Sequence, residues 1–164
     1  LEAVGRPLWF GFQADMAHTM LYAMGYNANE HALIDASQAN KGSPELDRAL
    51  AEIADVLRPW VIDFHVAQND GTVKGSGSHD LTGKHCLPDD PNGLLNIVEH
   101  AGYWLRDRNG ELTKACHHIC WDGCMFPNET LLRQETWDSI LATMVAVREA
   151  HSWHSDDCSQ VELR

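Results

Sequence analysis

Apolar and polar positions along this chain follow two rhythms, a period near two over short runs and one near 3.6 over longer ones. Leu8 to Asp15 (LWFGFQAD) reads as a buried strand with Gly11 inside it. Met16, Met20, Leu21 and Met24 then fall at helical spacing, with Gly25 as the stop. Tyr26 to Gly42 is polar and is expected to hold one short helix. Ser43 and Pro44 open the clearest helix, one as N-cap and the other at the first helical position. Leu46, Leu50, Ile53 and Leu57 are its apolar stripe, and Pro59 ends it. Val61 to Ala67 is a second strand. A loop from Gln68 to about Asn92 is expected to lack structure of its own, a length that points to function or disorder. Leu94, Ile97, Val98, Ala101 and Leu105 mark a helix ending before Asn109-Gly110. Cys116 to Asp122 is the third strand, and Gly123 to Thr130 a connecting turn. The last helix presents Trp137, Ile140, Leu141, Met144 and Val147 on one face. Leu1 to Pro7 reads as a leading segment, and 152–164 as a frayed polar tail after a domain spanning 1–151.

Strands alternating with helices predict an α/β fold, a parallel sheet with right-handed crossovers. Three βα units suit either a small open sheet or the C-terminal part of a TIM (β/α)8 barrel. The start at Leu1 rather than Met weights the expectation toward the barrel, with its N-terminal half upstream. A half barrel leaves sheet edges open, so the segment alone is expected to be poorly soluble.

Composition narrows the partners. The 164 residues carry a net charge of −12, which disfavours a nucleic-acid backbone as ligand. No apolar run reaches the ~20 residues of a membrane span. Five cysteines, an odd number, do not read as a secreted disulfide framework, and a cytoplasmic protein is expected. Ten histidines are the first hint of metal chemistry.

Each predicted strand delivers Asp or His at its end, where α/β folds place their chemistry. Asp15 and His18 stand in D-x-x-H spacing, although Asp15 alone would also serve as a helix cap. His65 can offer a neutral imidazole to a divalent ion, or be a core histidine bonded to a carbonyl. Asp63, on the same face, lies deeper or orients an imidazole. Gln68, Asn69 and Asp70 are expected to shape the loop. Cys116, His118, Cys120 and Asp122 share a strand face, with Asp122 at the tip and His117 pointing outward. Cys116, Cys120 and Cys124 would span about 26 Å on a strand, too far for one ion, so reduced thiols are expected. The loop holds GSGSHD and GKH, and His79, Asp80, Lys84 and His85 could close over a polyhydroxylated ligand or be solvated. Two carboxylates and an imidazole from Asp15, Asp122 and His65 suit Mn²⁺, Mg²⁺ or Co²⁺, with Zn²⁺ as a further candidate.

The segments QADMAHT, DFHVAQND and ICWDG resemble the sixth, seventh and eighth strand ends of the xylose isomerase-like TIM barrels, a superfamily of sugar isomerases and epimerases. The resemblance implies Asp15 and His65 as metal ligands, usually for Mn²⁺, and His18 as a substrate contact. Asp-Pro-Asn-Gly at 90–93 resembles the family's approach to its seventh helix. Where the family carries a final Glu this chain has Asp122, and the fourth-strand catalytic Glu is expected upstream of Leu1. The function this implies is a metal-dependent isomerase or epimerase of a ketose or sugar derivative. A C–H proton is transferred through a metal-stabilised enediolate. The alternatives are a metal-dependent lyase or hydrolase on the same barrel, and a non-catalytic fragment. The expected partners are a small sugar, the other half of the barrel and, as an open arrangement, a second copy.

Overall fold

The computed structural model describes residues 3, 5, 11–26, 28–72, 85–113, 118–123 and 126–154. Strand β1 (Phe12–Asp15) runs into helix α1 (Met16–Ala23), and helix α2 (Pro44–Leu57) precedes strand β2 (Val61–Val66). Two-residue strands β3 (Gln68–Asn69) and β4 (His85–Cys86) come next, then helix α3 (Ile97–Leu105) and strand β5 (His118–Trp121). A single-turn helix α4 (Asn128–Leu131) and helix α5 (Gln134–His151) complete the described elements.

Strands β1, β2 and β5 form a parallel sheet in that spatial order. Alternation divides it into two faces. Ala14, Phe64 and Val66 are fully buried on one, and the Phe64 ring stacks on Trp104 of α3 with centroids 5.7 Å apart. Helix α3 also meets α2, where His100 Nε2 lies 2.9 Å from Asp47 Oδ1. The opposite face carries Gln13 and Asp15, Asp63 and His65, and His118 and Cys120, all of them exposed or half-buried. Register makes these two rows: Gln13, Asp63 and His118 in one, Asp15, His65 and Cys120 in the next.

Local chemistry fixes the helix ends. The Ser43 hydroxyl accepts the Leu46 N–H at 3.3 Å, and Glu45 and Asp47 sit at the positive end of α2. Helix α1 ends as a Schellman turn: the Gly25 N–H donates to Tyr22 O and the Tyr26 N–H to Leu21 O, with Gly25 at φ +80°.

Five expectations need correction. The polar stretch 26–42 forms two separate 3₁₀ turns, Asn29–His31 and Ala36–Gln38, rather than one helix. The loop expected to be structureless is tied at its base, because β3 and β4 pair antiparallel, Gln68 with Cys86 and Asn69 with His85. Helix α3 starts at Ile97 rather than Leu94 because the preceding backbone is already engaged. The Leu94 N–H donates to Asn69 O, and the Gln68 amide takes both the N–H and the C=O of Leu95 at 2.9 Å each. In α5 only part of the expected apolar face is inward. Ile140 and Val147 are buried, whereas Trp137 and Leu141 are 51% and 64% exposed and the Trp137 indole donates to Leu131 O. Trp153, expected in a frayed tail, instead reaches the core after Ser152 turns the chain at φ 52°. Residues 8–10 of the first predicted strand, and 155–164, lie outside the described residues. No helix among the described residues is long and apolar enough to cross a membrane.

Candidate functional site

Parallel strands in register bring their C-terminal ends to one edge, and three side chains that lie far apart in sequence meet there. His65 Nδ1 lies 3.3 Å from Asp122 Oδ2 and 3.7 Å from Asp15 Oδ2. One ligand atom from each of the three lies within 4.8 Å of the others. The Asp15 carboxylate has two tasks. Its Oδ1 accepts the His18 N–H at 2.9 Å and caps α1, while Oδ2 faces His65. Among the described residues Oδ2 is buried without a hydrogen-bond partner, a costly state for a carboxylate oxygen unless a cation or proton is shared with it. The capping reading of Asp15 holds, and Oδ2 is left free of that task.

The imidazole of His65 is held from behind. Its Nε2 lies 3.8 Å from Asp63 Oδ2, and Asp63 is itself fixed by Gln13 and by His118 Nδ1 at 2.9 Å. At 3.8 Å Asp63 acts on the ring through its charge rather than through a hydrogen bond. Asp15 is the chief cause that raises the pKa of His65; at 3.7 Å it acts electrostatically, with Asp122 and Asp63 adding to it against partial burial. Burial opposes the charged form of His85, but the carboxylates of Asp122 and Asp15 outweigh it and raise its pKa as well. Burial of Asp63 is outweighed by the Gln13 and His118 hydrogen bonds, so its pKa falls. Burial and the charges of Asp63, Asp122 and Asp15 push the Cys120 thiol up to about 11, so it is un-ionised at neutral pH.

The substrate-side residues divide. His18 lies on the wall of the cavity beside Asp15, its ring 5.2 Å from that of His85. His85, expected on a loop covering a ligand, is fully buried, and the β3–β4 pairing is the reason. It stands behind the two acids, 3.8 Å from Asp15 and 3.6 Å from Asp122. His79, Asp80 and Lys84 lie outside the described residues, as do Cys116, His117 and Cys124. Cys86 is buried, and Cys120 is a half-buried free thiol. Gln68 and Asn69 shape the chain rather than the site, as expected: the Asn69 amide oxygen accepts the Gly71 N–H, and Asp70 accepts that of Thr72.

A cavity of about 760 Å³ opens beside Asp15, His65 and Asp122. Phe12, Tyr22, Leu33, Ile53 and Leu57 give its lining an apolar part, alongside Gln13, Thr19 and His31. Sequence reading assigned Ile53 and Leu57 to the core stripe of α2; both are half-buried and face this space. The Asp63–His118 contact was also missed. Its only trace in the sequence is alternation, which puts Asp63 on the face of His65 and His118 on the face of Asp122.

The donor set fits a divalent ion. Two carboxylates and one imidazole suit a hard to borderline cation with coordination positions left open. Ion–ligand distances of about 2.0–2.2 Å need donor atoms within roughly 4.4 Å of each other, which small side-chain adjustments supply here. Comparison of the chain with known protein families, curated proteins and solved structures gives no match.

Proposed function

We propose that this chain carries part of a divalent-metal-dependent sugar isomerase or epimerase, built as the C-terminal βα units of a TIM barrel. The observation that carries the reading is the convergence of Asp15, His65 and Asp122 from the ends of three parallel strands. When bound there, a Mn²⁺-type ion supplies charge stabilisation for two adjacent substrate oxygens as a neighbouring C–H proton leaves. The chain's own contribution is positional. The charge of Asp63 lies behind the His65 ring, the α1 N-terminus holds Asp15, and His18 lines the cavity. The proton-transferring carboxylate belongs, in this reading, to a strand end upstream of Leu1. The parallel pairing of β1, β2 and β5, with chemistry at their C-terminal ends, supports the barrel reading.

A second reading is favoured by one feature, the apolar cavity wall of Phe12, Tyr22, Leu33, Ile53 and Leu57. A bare ketose has no use for it, whereas a sugar bearing an apolar substituent does. That reading is a metal-dependent lyase or hydrolase. The partners we propose are a small sugar derivative and further βα units, and the setting we propose is cytoplasmic, which the free thiol of Cys120 supports.

The test combines Mn²⁺ titration with product analysis. The expected outcome is one tightly held ion that is lost in Asp15→Asn and His65→Ala, with interconversion of ketoses in the presence of the complementary half. Release of an aglycone selects the second reading. Unchanged ion binding in both variants overturns both.

A further inference from the structure

The polar face of the sheet holds a second constellation that the proposed chemistry does not use as ligands. Asp63 and His118 are register partners across β2 and β5, and Cys120 follows His118 on the same face. One donor atom from each, a carboxylate oxygen, an imidazole nitrogen and a thiol sulfur, lies within 4.8 Å of the other two. We propose that Asp63, His118 and Cys120 form a second cation site, selective for a zinc-type ion and separate from the ion held by Asp15, His65 and Asp122.

Three features carry this. The first is the donor set. Oxygen, nitrogen and sulfur together match the borderline-soft Zn²⁺, whereas Mn²⁺ and Mg²⁺ favour oxygen-rich sets like that of Asp15 and Asp122. The same sheet edge would thus sort two kinds of ion by chemistry. The second is preorganisation. Gln13 donates to one Asp63 oxygen and His118 sits 2.9 Å from the other, so carboxylate and imidazole are already aimed before any ion arrives. The third is access. The His118 side chain is 66% exposed and Asp63 27%, which leaves an approach for the ion and an outer coordination position for water. Cys120 does not depend here on a neighbouring cysteine. Its place on β5 leaves it beside Asp63 and His118. On binding, the Cys120 thiol proton leaves to solvent and the sulfur bonds the ion as thiolate, with His118 neutral.

The site stands independently of the sugar reading, and Co²⁺ tests it because thiolate ligation gives a near-ultraviolet charge-transfer band. The full chain is titrated with Co²⁺ while absorbance and bound ions per chain are followed. The expected result is two ions per chain and a thiolate band. In Cys120→Ser the band disappears and one ion remains. In Asp122→Asn the other ion is lost and the band stays. His118→Ala is the control for folding, since an exposed side chain is removed; it too loses the band. Absence of the band at saturating Co²⁺, its survival in Cys120→Ser, or its disappearance in Asp122→Asn each overturns the proposal, the last by showing one shared ion.

Discussion

At the scale of single residues, Asp15 separates folding from ligation. Oδ1 caps α1 and Oδ2 faces His65. Asp15→Asn keeps a capping oxygen, so thermal stability without metal is expected to shift by less than about 1 kcal/mol. Mn²⁺ binding, followed by calorimetry, is expected to disappear. Protonation gives a second outcome. The pKa values of His65 and His85 are raised from an ordinary 6.5. Their stabilising contribution is therefore complete below that value and lost as pH rises through the raised folded values. An ion must displace the His65 proton, so its stabilisation runs in the opposite direction and grows over the same interval. Melting curves with and without Mn²⁺ at about pH 6 and pH 8 are expected to diverge at the higher pH. A Mn²⁺ increment identical at both would remove His65 from the ligand set. The meeting of Asp15, His65 and Asp122 was legible in the sequence because each stands at or near the end of an apolar run. The depth of His85 was not, since 0% exposure follows from a backbone pairing that joins Asn69 to His85 across residues distant in sequence.

At the scale of elements, one side chain splices the site's supporting strap to the helical layer. Gln68 occupies both backbone groups of Leu95, and a Cβ on Gly93 would come within 2.5 Å of the Gln68 amide carbon. Gly93→Ala is expected to displace Gln68, speed amide hydrogen exchange at Asn69 and Leu95, and weaken Mn²⁺ binding through His85. Phe64→Ala removes the ring that joins β2 to Trp104 and is expected to cost about 3–5 kcal/mol in denaturant unfolding. Helix α2 was readable almost to its ends because Ser43, Pro44 and Pro59 are local signals. Helix α3 was misplaced by three residues because Leu94 and Leu95 continue its apolar rhythm while their backbone is engaged elsewhere. Periodicity reports a side chain's burial, not which backbone partner it has. The same limit hid the outward turn of Trp137 and Leu141 in α5.

At the scale of the whole molecule, the alternation of strands and helices foretold a parallel sheet, and the order β1-β2-β5 follows the order of the chain. The barrel belongs to the proposed reading; the sheet itself carries a face of Asp, His, Gln and Cys beside one of Ala, Phe and Val. Strands β1 and β5 flank β2 at the outside of the three-stranded sheet. Outer strands of this kind recruit others, so sedimentation of the purified chain is expected to show association that rises with concentration and declines when further βα units are supplied. A monomer at every concentration would argue for the small open sheet. The antiparallel pairing of Gln68 with Cys86 and Asn69 with His85 has a practical corollary. Residues 69 and 85 are thus neighbours in space although sixteen positions apart in the chain. Foreign sequence spliced between Thr72 and His85 would begin and end close to Asp15 and Asp122, a ready-made port for grafted loops.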